Sequence, residues 1–242
     1  MATEVQHDYG VVSNSATNSV TWPVTPTAGN LLIAFITGQA YFGSQPAWSG
    51  WASNRYRAAT AGTYPAIFGG VYSKTATGSE TTESLTLSSA CDWFMVLVEC
   101  DASIIDTYHA GSPNLTTTTS VSGIQRLQAN AFNSGPNTAV RGGVVCFGVP
   151  NNLSVTPFNY FSSSWASTAN YGPTNNIEQH QDSNISMLMG VCQEPFQITI
   201  STIKYAQVSG STVRYIGIGA TYTGPAVSSG IPILNLRTQA GY

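Results

Sequence analysis

Short stretches of apolar or alternating apolar and polar residues recur along the whole chain. Clusters of Gly, Pro, Asn and Ser separate them, as is typical of strands that are joined by turns. The stretches are rich in Val, Ile, Thr and aromatic residues, which suit a pleated, half-buried surface. The pattern predicts an all-β protein with the following strands: Ser19–Val24, Leu31–Ile36, Ala66–Ser73, Glu83–Leu87, Trp93–Cys100, Val140–Val149, Ile185–Cys192, Phe196–Ile203, Val213–Thr221 and Ile231–Leu236.

Helical periodicity is almost absent from the chain. The best helical candidate is Gly123–Ala131, and this stretch also fits a strand. No low-complexity linker or internal repeat divides the sequence, and single all-β domains often exceed 200 residues. We therefore predict one β-sandwich domain over residues 1–242, with short N- and C-terminal extensions.

Two of the predicted strands carry information about the architecture. Trp93–Cys100 has apolar residues at both alternating sets of positions, which favours a central strand with both faces covered. Val140–Val149 contains several glycines, where a facing element can approach closely. Together these strands predict a two-sheet antiparallel β-sandwich.

The scarcity of charged residues gives information about the surface of the protein rather than about its fold. Only 8% of the residues are charged, against about 25% in an average soluble domain. Protein interfaces are depleted in Lys and Glu and enriched in Tyr, Trp and Arg, and the chain has only two lysines, Lys74 and Lys204. We expect a surface that is covered by copies of the chain or by neighbouring proteins.

The N-terminal residues lack the basic and apolar regions of a secretory signal. No apolar run approaches the roughly 18 residues that span a bilayer. Either the native signal is missing from this sequence, or the protein is made in a cytoplasm and works outside it without secretion. A virus particle released by lysis fits the second interpretation. The net charge of −3, with no basic patch, argues against binding to nucleic acid.

The positions and spacing of the cysteines are consistent with folding inside a cell. All four lie in or beside apolar runs, and none shows CxxC spacing. A disulfide framework is typical of smaller secreted chains that are denser in cysteine. We predict buried thiols that pack as small apolar side chains at Cys91, Cys100, Cys146 and Cys192.

Four motifs follow one another within residues 15–105. Ala28-Gly-Asn-Leu-Leu-Ile-Ala is typical of the start of a long strand, and Trp48-Ser-Gly-Trp51 lies in an aromatic loop that follows. Tyr72-Ser-Lys-Thr-Ala-Thr-Gly-Ser-Glu80 is typical of a turn into the next hairpin, and Trp93–Asp101 of a central strand with an acidic end. In this order the motifs resemble a jelly-roll, concanavalin-like β-sandwich domain that is common in structural proteins of bacteriophage capsids and tails. These motifs are structural, and the resemblance implies a virion protein without catalysis.

The sequence evidence for catalytic and metal-binding groups is weak. Glu99-x-Asp101 resembles the start of an acidic motif of certain concanavalin-like glycoside hydrolases, but a further Glu that the motif requires is missing. We therefore interpret it as a strand that ends at a solvated acidic turn. Glu178, His180 and Asp182 alternate, but their polar surroundings indicate a loop rather than a metal site. No Gly-x-Ser-x-Gly elbow occurs, so no catalytic, metal-binding or cofactor-binding residues are predicted and no cofactor is expected.

Two aromatic clusters are the best positive signal for binding. Aromatic side chains beside Asn, Ser and Arg can anchor a protein interface, stack on a sugar, or simply cap the open ends of a sandwich. Protein contact is the preferred binding mode, because sugar sites usually add carboxylates and neither cluster contains Asp or Glu. The candidates for an interface or a glycan site are Trp48, Trp51, Tyr56, Arg57, Tyr160, Trp165 and Tyr171.

The sequence thus favours a non-enzymatic structural protein of a bacteriophage virion, either a capsid-decorating (cement) protein or a tail-surface protein. We expect it to form a homo-oligomer, such as a trimer, and to contact other virion proteins. The alternative is a carbohydrate-binding or host receptor-binding module that uses the aromatic loops. A glycoside hydrolase or lyase is the remote alternative.

Overall fold

A computed structural model describes residues 4–40, 42–102, 108–117, 119–121, 124–132, 140–150, 155–157, 174–181, 185–193, 202–208 and 212–224. These residues form strands joined by turns and contain no helix long and apolar enough to cross a membrane. The strands are β1 Glu4–Thr21, β2 Leu31–Gly38, β3 Ala52–Ala59, β4 Ile67–Thr75, β5 Thr82–Cys100, β6 Tyr108–Thr117, β7 Thr119–Val121, β8 Ile124–Phe132, β9 Val140–Pro150, β10 Val155–Pro157, β11 Thr174–Gln181, β12 Ile185–Gln193, β13 Thr202–Val208 and β14 Arg214–Thr223.

Two five-stranded antiparallel sheets form a β-sandwich, as the sequence predicts. The first sheet has the strand order β1-β5-β2-β4-β3, and the second has the order β11-β12-β9-β14-β6. The orders correspond across the sandwich, since β5 contacts β12, β2 contacts β9, β4 contacts β14 and β3 contacts β6. Strands β7, β8, β10 and β13 form a further four-stranded sheet, which the sequence pattern did not predict.

The main core lies between the two five-stranded sheets. Alternate residues of β2, β4 and β5 meet alternate residues of β9, β12 and β14, as expected for aligned sheet packing. The sheets approach closely where β9 presents Gly148 to Thr37 of β2: a Cβ atom at Gly148 would lie 2.1 Å from the Thr37 hydroxyl oxygen. The predicted role of small residues in this strand is therefore confirmed. The core residues are Leu31, Ile33, Phe35, Ile67, Val71, Phe94, Val96, Val98, Cys100, Val144, Cys146, Met187, Met189, Ile216, Ile218, Ala220 and Tyr222.

The opposite face of the first sheet is also covered, so that every residue of β2 is buried. The covering elements are the loop after β2, which carries Trp48 and Trp51, and the ends of β1 and β5 that fold over this face. Strand β5 lies between β1 and β2 and is buried on both faces from Trp93 to Cys100. The prediction that Trp93–Cys100 is a central strand is confirmed.

A bend divides the β1–β5 pair into two parts. Ser15 pairs with Cys91, but the next pair is Thr17 with Thr86, so the residues between Thr86 and Cys91 form a wide bulge in β5. On β1 the bend coincides with Asn14, whose φ of 48° lies in the left-handed region that Asn tolerates. Beyond the bulge the pair turns back over the first sheet and places apolar residues of both strands in its second core.

Several sequence predictions are corrected by this geometry. Glu83–Leu87 and Trp93–Cys100 belong to one strand, because the pairing with β1 continues on both sides of the bulge. For Gly123–Ala131, where the sequence fitted a helix or a strand, the strand alternative is confirmed, since the stretch largely coincides with β8. The segment around Glu178 and His180 is strand β11, not a loop, because it pairs with the apolar strand β12. The predicted strand Ile231–Leu236 lies outside the described residues, as does the first part of Phe196–Ile203.

Candidate functional site

The tryptophans Trp48 and Trp51 are core residues of the first sheet, with 8% and 7% of their surface exposed. This corrects the expectation that they are available as binding platforms, because their loop folds down onto the sheet. Tyr56 is half-buried and its hydroxyl donates to the Phe42 carbonyl oxygen at 2.9 Å. Arg57 is exposed on β3. The remaining three candidates lie outside the described residues: Tyr160, Trp165 and Tyr171.

The two tryptophan rings stack on each other with their centroids 4.6 Å apart and their planes inclined by 22°. The Tyr72 ring packs edge-on against Trp48 at 5.4 Å. The Tyr72 hydroxyl donates to the Pro46 carbonyl oxygen at 2.7 Å, and burial raises the pKa of this phenol. The loop is thus fixed to the sheet by aromatic packing and by a buried hydrogen bond, which are structural roles.

A Lys–Glu pair completes the surroundings of the tryptophans. Glu83 accepts a hydrogen bond from the indole nitrogen of Trp51 at 3.0 Å and contacts Lys74 Nζ at 2.5 Å. Lys74 also lies over the Trp51 ring, 4.9 Å from its centroid, which is a cation–π contact. The ammonium, the carboxylate and the indole satisfy one another, so this buried charge holds the loop in place.

Glu80 organises the turn between β4 and β5. Its carboxylate accepts hydrogen bonds from the backbone nitrogens of Thr77, Gly78 and Ser79 and from the Thr77 hydroxyl. Burial alone would raise the pKa of Glu80, but the donors at Thr77 and the nearby Lys74 outweigh it and lower the pKa to about 2. The carboxylate is therefore ionised at neutral pH and stabilises the turn.

Glu99 is fully buried, which corrects its interpretation as part of a solvated turn. One carboxylate oxygen accepts from the Thr27 backbone nitrogen at 2.8 Å and from the Asn30 side chain at 2.6 Å. The other accepts from the Gln6 side chain at 2.5 Å. Gln6 also exchanges two hydrogen bonds with the backbone of Val24. Glu99 therefore links β1, β5 and the segment before β2, and its oxygens are occupied by structural donors.

Three of the predicted buried thiols are confirmed, and their surroundings are apolar. Cys91, Cys100 and Cys146 are free and buried. Burial, followed by the charge of Asp92, raises the pKa of Cys91 to about 12, and burial raises the pKa of Cys100 further. A thiol is nucleophilic only as a thiolate, so Cys91 and Cys100 are poor nucleophiles at neutral pH.

Groups of three or more metal-ligating side chains are absent from the part of the chain that the structure describes. Glu178 and His180 both belong to strand β11, and Asp182 falls outside the described residues. Glu178 instead approaches His7 of β1, with 3.6 Å between the carboxylate oxygen and the ring nitrogen. His7 also contacts Glu4 at 2.5 Å. The polar groups therefore join the two sheets at one side of the sandwich.

That side of the sandwich is bordered by β1 and β11 and displays apolar side chains. Three of the four large hydrophobic residues that are exposed in the described chain lie on β1: Val5, Tyr9 and Val11. Tyr9 and Val11 pair with Val96 and Phe94, so they lie on the face that looks toward the second sheet. We call this surface the β1 side; it consists of Val5, Tyr9, Val11 and the His7–Glu178 contact.

A concave pocket with a volume of about 580 Å³ lies between the loop after β2 and the bulge of β5. The loop contributes residues 42–47, and the bulge contributes residues 86–89. Phe42 and Leu87 are buried beneath it, whereas Ser44, Thr86 and Ser88 are exposed. The described residues that line the pocket carry no charge.

Beside this pocket, the exposed face of the β1–β5 pair carries three facing pairs of hydroxyl groups, which we call the hydroxyl ladder. The facing oxygens are 2.9 Å apart in the Thr17–Thr86 and Thr21–Thr82 pairs, and the middle pair is also hydrogen-bonded. The sequence signal was the alternation of Ser and Thr in both segments, which was not recognised as a site. The ladder consists of Thr17, Ser19, Thr21, Thr82, Ser84 and Thr86.

Comparison with models of protein families, with curated proteins and with solved structures finds no match for this chain. The function is therefore inferred from the chemistry of the described surfaces.

Proposed function

We propose that the chain is a non-enzymatic structural protein of a bacteriophage virion, which decorates the capsid or the tail through contacts with copies of itself and with other virion proteins. The near absence of exposed charge is the observation that supports this proposal. Among the charged residues whose exposure the structure describes, only Arg57 is exposed, and Glu80, Glu83 and Glu99 are buried. The other eight described charged residues are only partly exposed, so the described surface consists mainly of hydroxyl, amide and apolar groups.

Such a surface suits assembly for a physical reason. Burying a charge in an interface carries a large desolvation cost, whereas burying hydroxyl and apolar groups does not. Interface cores are accordingly depleted in charged residues. A chain that keeps Glu80, Glu83 and Lys74 in internal contacts can cover its remaining surface with other subunits at little electrostatic cost.

The β1 side is the part of this surface that best fits a contact between copies. Edge strands of monomeric proteins are commonly protected by charged side chains, and β3 carries Arg55 and Arg57 at the opposite edge of the sheet. Strand β1 carries no Lys or Arg, its carboxylates Glu4 and Asp8 are partly buried, and it displays Val5, Tyr9 and Val11. We assign the contact between copies to the β1 side.

The oligomer is tested by light scattering coupled to size-exclusion chromatography over a range of protein concentrations. We expect a mass that is a multiple of the 25.5 kDa chain. Val11→Lys should shift the mass toward the monomer, because it places a charge that would have to be desolvated in the contact. Ser53→Lys is the matched control, since Ser53 is exposed on β3 at the opposite edge.

A monomer at every concentration would contradict the proposal. An oligomer that Val11→Lys leaves intact would contradict the assignment to the β1 side, and the contact would then lie elsewhere. Circular dichroism of both variants should match that of the wild type, because both positions are exposed. Association of the purified protein with phage particles, followed by sedimentation, tests the virion assignment directly.

A further inference from the structure

We propose that the pocket and the hydroxyl ladder together form a binding site for an uncharged saccharide chain. The site uses different residues from the aromatic candidates of the sequence and lies on a different part of the surface from the β1 side. It does not depend on the virion assignment, and it adds a ligand to a protein whose proposed role is assembly.

The lining of the pocket determines which ligands fit. Its described residues include no Lys, Arg or His that could neutralise an anion, and no Asp or Glu that could bind a cation. A purely apolar ligand is disfavoured because it would cover the hydroxyl groups of Ser44, Thr86 and Ser88 without replacing their hydrogen bonds to water. A neutral ligand with many hydroxyl groups fits this lining, because the hydroxyl groups of Ser44, Thr86 and Ser88 supply the donors and acceptors for which sugar sites usually use carboxylates.

The pocket also has an apolar part, as a sugar ring requires. Phe42 and Leu87 are buried under it, and Pro46 lies in its wall. A sugar has apolar C–H faces as well as hydroxyl groups, so one face can contact these side chains while its rim binds the polar ones. The volume of about 580 Å³ lies within the range of about 300–1,000 Å³ that is typical of ligand sites.

The hydroxyl ladder extends the site in one direction. Thr86 belongs to both the pocket and the ladder, so the two surfaces are continuous. Each hydroxyl group has one donor and two acceptor positions, and the bond within a pair uses one donor and one acceptor. Every pair therefore retains a donor and several acceptors for a ligand. Successive pairs repeat every second residue, or about 6.8 Å along an antiparallel strand, which presents a regular track to a chain of repeating units.

The bulge explains why the pocket exists at this point. Thr86 and Cys91 pair with two residues of β1 that are only two positions apart. The β5 residues between Thr86 and Cys91 therefore project out of the paired strands. Ser88 and Ser89 are exposed there and face the loop that Tyr72 fixes through its bond to Pro46. Both walls of the pocket are thus held by buried structure, which favours a preformed site.

The test is isothermal titration calorimetry of the full chain with three neutral oligosaccharides, maltohexaose, cellohexaose and chitohexaose. We expect at least one to bind with a Kd below about 5 mM. Ser88→Trp, which fills the pocket, should weaken this binding at least about tenfold. Thr86→Val removes a hydroxyl group with little change of shape and should weaken it severalfold.

Matched controls carry the same substitutions at exposed positions that do not line the pocket. Ser53→Trp and Thr60→Val should bind like the wild type. The proposal is overturned if none of the three oligosaccharides binds, or if Ser88→Trp leaves binding unchanged. It is also overturned if Ser88→Trp reduces only the oligomer mass, since the pocket would then be a contact between copies. Loss of the oligomer in Val11→Lys with retained sugar binding would separate this site from the proposed assembly contact.

Discussion

Glu83 holds a different partner on each of its carboxylate oxygens, Lys74 on one and the Trp51 indole on the other. Because the carboxylate is largely buried, removal of either donor leaves an acceptor whose partner water replaces poorly. Glu83, like Glu80 and Glu99, thus stabilises contacts inside the fold. The contacts of Glu83 determine where the loop with Trp48 and Trp51 lies.

The indole bond of Trp51 can be tested by comparing two identical substitutions in the same core cluster. Trp51→Phe keeps an aromatic ring but removes the donor to Glu83, whereas Trp22→Phe removes an indole nitrogen that has no hydrogen-bond partner among the described residues. We expect Trp51→Phe to reduce the free energy of unfolding by about 1–3 kcal/mol more than Trp22→Phe does. Urea unfolding measures the difference, and equal losses would show that ring volume alone matters.

Glu80 gives the stability of the fold a dependence on acid. Its pKa is about 2 in the folded chain against 4.5 unperturbed. A lowered pKa stabilises the folded state above pH 4.5, and this stabilisation is lost as the pH falls from 4.5 through 2. Glu80→Gln should therefore cost about 2 kcal/mol at pH 7 and much less near pH 2. Urea unfolding of both proteins from pH 2 to 7 tests this, and two parallel curves would contradict it.

At the scale of elements, apolar strands were predictable and polar strands were not. Strand β2 is apolar throughout and lies where the pattern predicts. Strand β11 contains one apolar residue, Ile177, and becomes a strand because β12 offers it an edge. Ser88, Ser89 and Ala90 of the β5 bulge look like a turn because they lack large apolar side chains, and only the pairing with β1 shows that the strand continues. Tertiary pairing overrides local preference in these places.

The candidate site was less predictable than the fold for the same reason. The alternation of Ser and Thr in β1 and β5 is visible in the sequence, but which face is exposed depends on how the pair folds over the sheet. The pocket joins residues 42–47 to residues 86–89, which are distant in the chain. Likewise, nothing local indicates that Trp48 and Trp51 are buried, since loop aromatics of that kind occur both in cores and at binding surfaces.

The close approach of β9 to β2 yields a prediction for the packing of the two sheets. Gly148→Ala places a Cβ atom 2.1 Å from the Thr37 hydroxyl oxygen, which donates to the Phe68 carbonyl oxygen. We expect the free energy of unfolding to fall by about 1–3 kcal/mol, as overpacked cores generally lose. Gly62→Ala, where a Cβ atom would meet no described atom within 4 Å, is the control. Equal stability of the two variants in urea would mean that the sheets adjust freely.

At the scale of the whole molecule, the cores, the β1 side and the pocket lie on different surfaces of the described sandwich. The space between the sheets holds the apolar core, and the outer face of the first sheet carries a second core under the loop and the bent strand pair. The β1 side and the pocket lie on separate parts of the exterior; the described pocket lining is uncharged, and the charges of the β1 side lie in the contacts of His7 with Glu4 and Glu178. The assembly and the ligand binding that we propose would therefore use different residues.

The pairing of β1 with β5 also has a consequence for how the chain folds during synthesis. Strand β1 leaves the ribosome before β5, and β5 ends at Cys100, which pairs with Glu4. Pairings of such large sequence separation form late, so we expect β1 to join the sheet last. Until then the apolar edge of β5 is open to strands of other chains, which is a route to aggregation. The same delay allows β1 of one copy to complete the sheet of another, so strand exchange is the characteristic misfolding hazard of this architecture.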